Sequence, residues 1–541
     1  MREYILSQRR KKMAEKRKDF VYGALILTAS GFLVKLIGAL FRIPLTNLVG
    51  ATAMGYFSTS YSIYEVFLAI ATAGLPTGMA VMVSRSLALG KNRDIPKLVK
   101  IAGSVFVSAG LLLAVLGLIF ARPLAVAMNG ENAYYAVVAL MPAVFFISIV
   151  ALIKGYFQGF NNMVPTAISN LIEATGKLLI GYGIAYWMTS HSYPPEQAVG
   201  GAIAGITAST FFAMCFMVCR YLFRGGKFRA QINELTVAAT QTPELAKEFF
   251  ATALPIMISA ITSNLMGAVD AFTVMNRLTG YMTENEANLL WGSYGNMTLT
   301  IFNLPSFVIV SLGTALVPGI AHAFAKNDTD NLKNTVNTAL KYTMVLSAAF
   351  AFGMCAVSEP LLRLFYTDEA GIVKAAGLLQ IASFVLLSSG FTTVTAAILN
   401  SVKKAHLSVI VVGVGAVVKS VFTYIFVTIP SINIYGAPLA TNIAYPVMLF
   451  LNLYLIRSFV GITPSIKEVF LKPVAAGILC FGTASLFKWL FGLFTSSRLA
   501  VIAVIILTGI VYAGIILLLR IVTVDEIKGL IRRKGKKSSN V

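Results

Sequence analysis

The chain has 541 residues, 57% of them hydrophobic and only 12% charged, with a mean hydropathy of +0.79. That is far more apolar surface than one water-soluble core buries, so the composition excludes a soluble protein and requires an integral membrane one. The formal net charge of +22 brings nucleic acid to mind, but its distribution along the chain assigns it to membrane topology and leaves no nucleic-acid partner.

A hydrocarbon core about 30 Å thick takes roughly 20 apolar residues per helix. Behind a basic tail (1–19), fourteen such runs follow in order: 20–45, 56–84, 98–121, 133–157, 165–189, 199–223, 249–277, 290–325, 332–357, 371–399, 406–429, 436–457, 468–494 and 499–520. The second and eighth exceed a straight span and contain Pro76, and Pro305 with Pro318. Kinks or unwound turns are predicted there, serving as hinges or simply tolerated. With the N-terminus inside, and basic residues toward span ends counted with the adjoining segment, 34 lysines and arginines fall in inner segments and 6 in outer ones, leaving Lys35, Arg42, Lys177 and Lys419 within spans. This positive-inside bias requires both tails to be cytoplasmic. The tails "RRKKMAEKRK" and "RRKGKK" then anchor topology and attract anionic membrane lipids.

No cleavable signal peptide is visible. The four cysteines (Cys215, Cys219, Cys355, Cys480) lie in apolar runs without metal-ligand spacing, and His191, His322 and His406 are scattered at helix ends. No metal or cofactor site is expected. "EATGKLL" (173–179) has a Gly-Lys pair without the rest of a phosphate loop, and the longest connection, 224–248, is too short for a soluble domain. A transporter driven by an ion gradient, by voltage or by its substrate gradient is expected, not an enzyme.

The stretch at 155–182 lies over 397–424 at an offset of 242, matching Ile168 with Ile410, Ala174 with Ala416, Lys177 with Lys419 and Tyr182 with Tyr424. Both stretches end an even-numbered helix, cross a short inner loop and enter the next helix. The predicted fold is therefore all-α, with about 14 transmembrane helices in two six-helix lobes and a substrate site expected between the lobes. The lobes are 20–223 and 249–457, joined by a cytoplasmic linker at 224–248. Helices 13 and 14 (458–520) and a second basic tail (521–541) complete the chain.

The segments "KGYFQGFNN", "LVKLIGALFRIPL", "GLPTGMAVMVSRSLALGKN", "DAFTVMNRL" and "SLGTALVP" resemble the polysaccharide-transporter branch of the multidrug/oligosaccharidyl-lipid/polysaccharide exporter superfamily. In character they are similar to its stage V sporulation protein B and lipid II flippase types, over about residues 20–520. The resemblance implies two six-helix lobes around a central cavity, alternating access, flipping of undecaprenyl-pyrophosphate-linked sugars to the outer face of a bacterial cytoplasmic membrane, and a lipid-tail groove at helices 13 and 14. It also implies cell-wall synthesis enzymes as neighbours of a monomeric transporter. Lipid II flippases place an arginine early in helix 8, whereas "MTLTIFNLP" here carries Thr300.

Gly31, Lys35, Gly38 and Arg42 advance by four, three and four residues and so form one stripe on helix 1. Lys35 and Arg42, about 10 Å apart along the axis, suit an extended diphosphate-sugar head. The structural alternative pairs Lys35 with an acid and lets Arg42 snorkel to the interface. Glu65 is a candidate to neutralise either cation until substrate arrives. Glu173 and Lys177 are spaced for an ion pair within one helix. With Lys419 they complete the candidate substrate-binding set. Asp270 is a candidate ion-coupling site, or packs against a helix terminus or Lys419. A second functional reading, an ion-coupled antiporter of cationic drugs, would favour a net acidic cavity.

Overall fold

The computed structural model describes residues 2–72, 74–128, 131–233, 240–309, 320, 324, 329–401, 405–494 and 497–522. These form helices and connecting turns, with no strand among the described residues. In a membrane only helices and closed barrels satisfy every backbone group internally. Among the described residues, nine helices are long and apolar enough to cross a bilayer, or ten if one bent pair counts as a span. One of the nine, Ile26–Ala88, is 63 residues long, more than twice what a single crossing needs. The protein is an all-α integral membrane protein.

The chain divides into two compact units, Met1–Gly292 and Ser293–Val541. The first contains α1 (Arg2–Thr72), α2 (Leu75–Ala88), α3 (Asp94–Ile119), α4 (Ala121–Ala127), α5 (Tyr134–Gly159), α6 (Val164–Gly176), α7 (Tyr182–Ser190), α8 (Pro195–Asn233), α9 (Thr242–Leu278) and α10 (Glu284–Gly292). Its core joins Leu75, Met79 and Met82 of α2, Ile95 and Phe106 of α3, Val150 and Phe157 of α5, Met217 of α8 and Phe249 of α9. The predicted break near Pro76 is present: Gly74 takes a left-handed φ of 70° and α2 begins just before the proline.

The stretch 234–239 of the predicted linker lies outside the described residues, but its end at Thr240 is clamped to the start of α3. Asp94 accepts hydrogen bonds from the Thr240 backbone N–H (2.8 Å) and hydroxyl (2.7 Å). Lys97 donates to the Thr240 carbonyl at 2.8 Å. Arg85, in the last turn of α2, forms an ion pair with Glu248 at the start of α9.

The second unit contains α11 (299–309), α12 (Thr329–Ala356), α13 (Ser358–Phe365), α14 (Glu369–Ser383), α15 (Val385–Ser401), α16 (Ala405–Thr428), α17 (Gly436–Val460), α18 (Lys472–Phe494) and α19 (Arg498–Leu518). Residues 293–298 form a wide π-turn before α11. Pro305 lies within α11 without ending it, and Pro318 lies outside the described residues. Val336, Leu340, Met344, Phe391, Val394 and Leu449 centre this unit's core. α18 and α19, the predicted helices 13 and 14, pack against α12 through Val345, Cys480 and Tyr512. Tyr512 donates its hydroxyl to the Val345 carbonyl at 2.7 Å, which removes a polar group from an apolar surface.

An apolar cavity of about 350 Å³ opens in this second unit. Its walls come from α11 (Ile301, Leu304, Pro305), α12 (Phe350, Gly353, Met354), α13 (Leu361, Phe365), α18 (Cys480, Ala484) and α19 (Ile505, Gly509).

Candidate functional site

The site begins at a break in α1. Gly50 has φ 81° and ψ 163° inside what is otherwise continuous helix, a conformation that residues with a Cβ avoid. A straight helix would set Phe41 and Phe57 about 24 Å apart at 1.5 Å per residue. Their rings lie 6.3 Å apart instead, so the chain doubles back at Gly50. Arg42 is thereby laid against two aromatic faces of the following segment, its guanidinium 5.9 Å from the Phe57 centroid and 5.8 Å from that of Tyr61. Phe57 and Tyr61 are stacked at 5.8 Å, and Tyr61 meets Tyr64 at the same distance.

Glu65 lies one turn further on, within electrostatic reach of Arg42 first and Lys35 second. Among the described residues it forms no salt bridge with either. Lys35 is exposed, and Gly31 and Gly38 beside it face open space. The part of the stripe at Gly31, Lys35 and Gly38 is thus not packed against a neighbouring helix, whereas Arg42 is.

The second half of the site is built by α5, α6 and α8. Gly176 and Gly181 let the predicted fifth helix approach α8 at Ser209 and Gly205, where a Cβ on Gly181 would sit 2.8 Å from the Ala202 carbonyl. Small residues permit such backbone contact between membrane helices. At this point the helix widens into a π-turn, Lys177–Gly181, an irregularity frequent at functional sites. Lys177 opens the π-turn and forms the expected ion pair with Glu173 at 2.7 Å, with side chains 24% and 20% exposed, respectively. The pair is therefore partly exposed, not sealed in a core.

Glu173 also interacts with Lys154 of α5, whose ammonium donates to the Asn170 side-chain carbonyl at 2.7 Å. By charge counting alone Lys154 falls among the inner-face lysines. The signal that distinguishes it is its position five residues before the end of α5, inside an apolar run. Lys177 lies within reach of Tyr61 and Arg42, and Tyr64 within reach of Glu173 and Glu65. Lys35, Arg42, Glu65, Glu173 and Lys177 are therefore brought into one network, together with Lys154, Asn170 and Tyr61. Four cations face two carboxylates, an excess of two positive charges.

Asp270 is half-buried on α9 of the first unit, and Lys419 is half-buried on α16 of the second. Thr300 is buried at the start of α11. Among the described residues no group of three or more histidines, cysteines or acids has the arrangement of a metal site, and the four cysteines are free thiols.

A bundle of apolar helices holding an accessible, net-positive ion network within its membrane-depth segments defines a membrane transporter. The chain belongs to the polysaccharide biosynthesis protein family, whose model matches residues 20–324, and to the multidrug/oligosaccharidyl-lipid/polysaccharide exporter superfamily. A MatE model matches residues 255–425. The chain is similar to stage V sporulation protein B of Bacillus subtilis (strain 168), 23% identical over 517 residues, covering 95% of this chain and 98% of that protein. It is similar to lipid II flippase MurJ of the same organism, 24% identical over 500 residues, covering 88% and 89%. A solved structure of lipid II flippase MurJ in an inward closed conformation matches with a TM-score of 0.63 at 18% identity, over 91% of this chain and 98% of that one. At that identity the likeness shows a shared fold.

Proposed function

We propose that this transporter flips an undecaprenyl-pyrophosphate-linked sugar, a building unit of a cell-envelope polysaccharide, from the inner to the outer leaflet by alternating access. The observation that carries this reading is the excess of two positive charges in the network of Lys35, Arg42, Lys154 and Lys177 with Glu65 and Glu173. A diphosphate diester carries two negative charges. An uncompensated cation at membrane depth costs about 2.5–3.5 kcal/mol on insertion scales, and a dianionic substrate offsets that cost while it is bound.

Arg42 supplies planar two-pronged donors that match a phosphate. Glu65, which has no salt bridge among the described residues, holds the cations loosely enough to release them to substrate. The apolar cavity of the second unit, flanked by α18 and α19, has the lining a polyprenyl tail requires. The net positive sign opposes the cationic-drug reading.

The decisive measurement is transbilayer movement of fluorescent undecaprenyl-diphosphate disaccharide in proteoliposomes. Protein-dependent movement is expected, and its absence with intact, correctly inserted protein overturns the reading. Both tails are cytoplasmic in this arrangement. Reporter fusions at Asn47, His191 and Ser497 should read outside and those at Arg93 and Gly225 inside; any reversal breaks the topology.

A further inference from the structure

The network contains more than diphosphate binding requires. A diphosphate needs donors alone, yet Lys154, Asn170, Glu173 and Lys177 alternate cation, amide, carboxylate and cation, with Lys154 bonded to Asn170 at 2.7 Å and Lys177 to Glu173 at 2.7 Å. Asn170 uses its side-chain carbonyl on Lys154, and its amide N–H groups donate to no protein atom among the described residues. The Tyr61 hydroxyl likewise has no hydrogen-bond partner among them, although its ring is fixed by Phe57 at 5.8 Å and by the Arg42 guanidinium at 5.8 Å. Tyr61 and Asn170 are both half-buried, and neither unused group is among the fully buried ones.

A rigid aromatic edge and hydroxyl, an amide donor and a charge-clamped carboxylate acceptor complement a pyranose. Its hydroxyls each donate and accept, and so can pair with a phenol, an amide and a carboxylate set side by side. From this juxtaposition we infer that Tyr61, Asn170 and Lys154 form a subsite for the sugar attached directly to the diphosphate, beside the phosphate contacts of Lys35 and Arg42. The inference rests on the flippase reading and sharpens it: the transporter distinguishes the loaded carrier from bare undecaprenyl diphosphate. Binding the bare lipid leaves the Asn170 amide and Tyr61 hydroxyl unpaired away from bulk water, and unmatched polar groups are the strongest source of rejection in such sites.

The test measures binding of undecaprenyl diphosphate and of undecaprenyl-diphosphate N-acetylglucosamine to the full-length protein in nanodiscs. Wild type should prefer the sugar-bearing lipid by about tenfold, the contribution of one to two hydrogen bonds. Asn170→Ala and Tyr61→Phe, which keeps the ring beneath Arg42, should each lower affinity for the sugar-bearing lipid more than for the bare lipid, so that the preference shrinks. Lys35→Ala should weaken both lipids alike. Absence of any preference in wild type, or equal loss of both lipids in the Tyr61 and Asn170 variants, overturns the sugar subsite and leaves the flippase reading standing. Failure of wild type to bind either lipid overturns the flippase reading and the subsite with it.

Discussion

The two units meet the same solvent problem in opposite ways. In the first, α1, α5, α6 and the π-turn after α6 carry six charged side chains at membrane depth and arrange them so that each has at least one opposite charge within electrostatic reach. In the second, the accessible space enclosed by α11, α12, α13, α18 and α19 is almost wholly apolar, and Tyr512 turns its hydroxyl to the Val345 carbonyl and away from it. The predicted duplication pairs Lys177 with Lys419, yet Lys177 stands in a π-turn beside Glu173 while Lys419 lies on the uninterrupted α16. A charged region specifies a headgroup through geometry. An apolar cavity accepts a hydrocarbon chain by area alone. On the flippase reading, the division of labour is therefore head recognition in one unit and tail accommodation in the other.

The largest expected effect strikes the charged region. Arg42→Ala and Lys35→Ala should each lower flipping by about 10- to 100-fold, the value of a charge-assisted hydrogen bond, while insertion is unharmed because an intramembrane charge has been removed. Arg42→Lys should retain part of the activity. Complementation of a flippase-deficient strain, with membrane levels read by immunoblot, measures this. If Lys35→Ala combined with Glu65→Gln restores activity, the cations serve the protein's own charge balance and the comparison fails.

A smaller effect is expected in the apolar region. Gly353 and Gly509 line the cavity, and a Cβ added at either would find open space within 4 Å, so the side chains of Gly353→Leu and Gly509→Leu have an unobstructed start into it. Displacing about two methylenes of the tail, at about 0.8 kcal/mol each, should slow flipping about tenfold. Short-chain polyprenyl substrates should be spared, and equal slowing of long and short tails would detach the cavity from the mechanism.

Asp270 lies in neither region. Asp270→Asn should leave expression normal and change the dependence of transport on pH or sodium; full activity with unchanged ion dependence removes it from coupling.

The smallest effect concerns Glu286, outside both regions. It accepts hydrogen bonds from the Thr283 backbone N–H (3.0 Å) and hydroxyl (2.8 Å) at the start of α10. Those bonds, the backbone one first, hold its carboxyl below the ordinary carboxylate range. A carboxyl depressed in the folded state stabilises the protein above its unfolded pKa, and that contribution is lost as pH falls through the folded value. Glu286→Gln should therefore lower the melting midpoint slightly at neutral pH and not at all in strong acid, with flipping unchanged in both.

The sequence by itself determined the class of fold, because lipid leaves helices as the way for long apolar runs to satisfy their backbones. α5, α12, α16 and α19 begin and end within a few residues of the predicted runs for that reason. It also determined the Glu173–Lys177 pair, since residues four apart on one helix are neighbours whatever surrounds them. What only tertiary structure decided is which distant charges meet. Lys154 reads as an inner-face lysine until α5 is laid beside α6, and Arg42 acquires its aromatic bed only because Gly50 folds α1 back on itself. Periodicity in a sequence reports one helix at a time, whereas a binding site is made by close approach between helices. That approach depends on small residues, such as Gly181 against Gly205, whose partners no local pattern names.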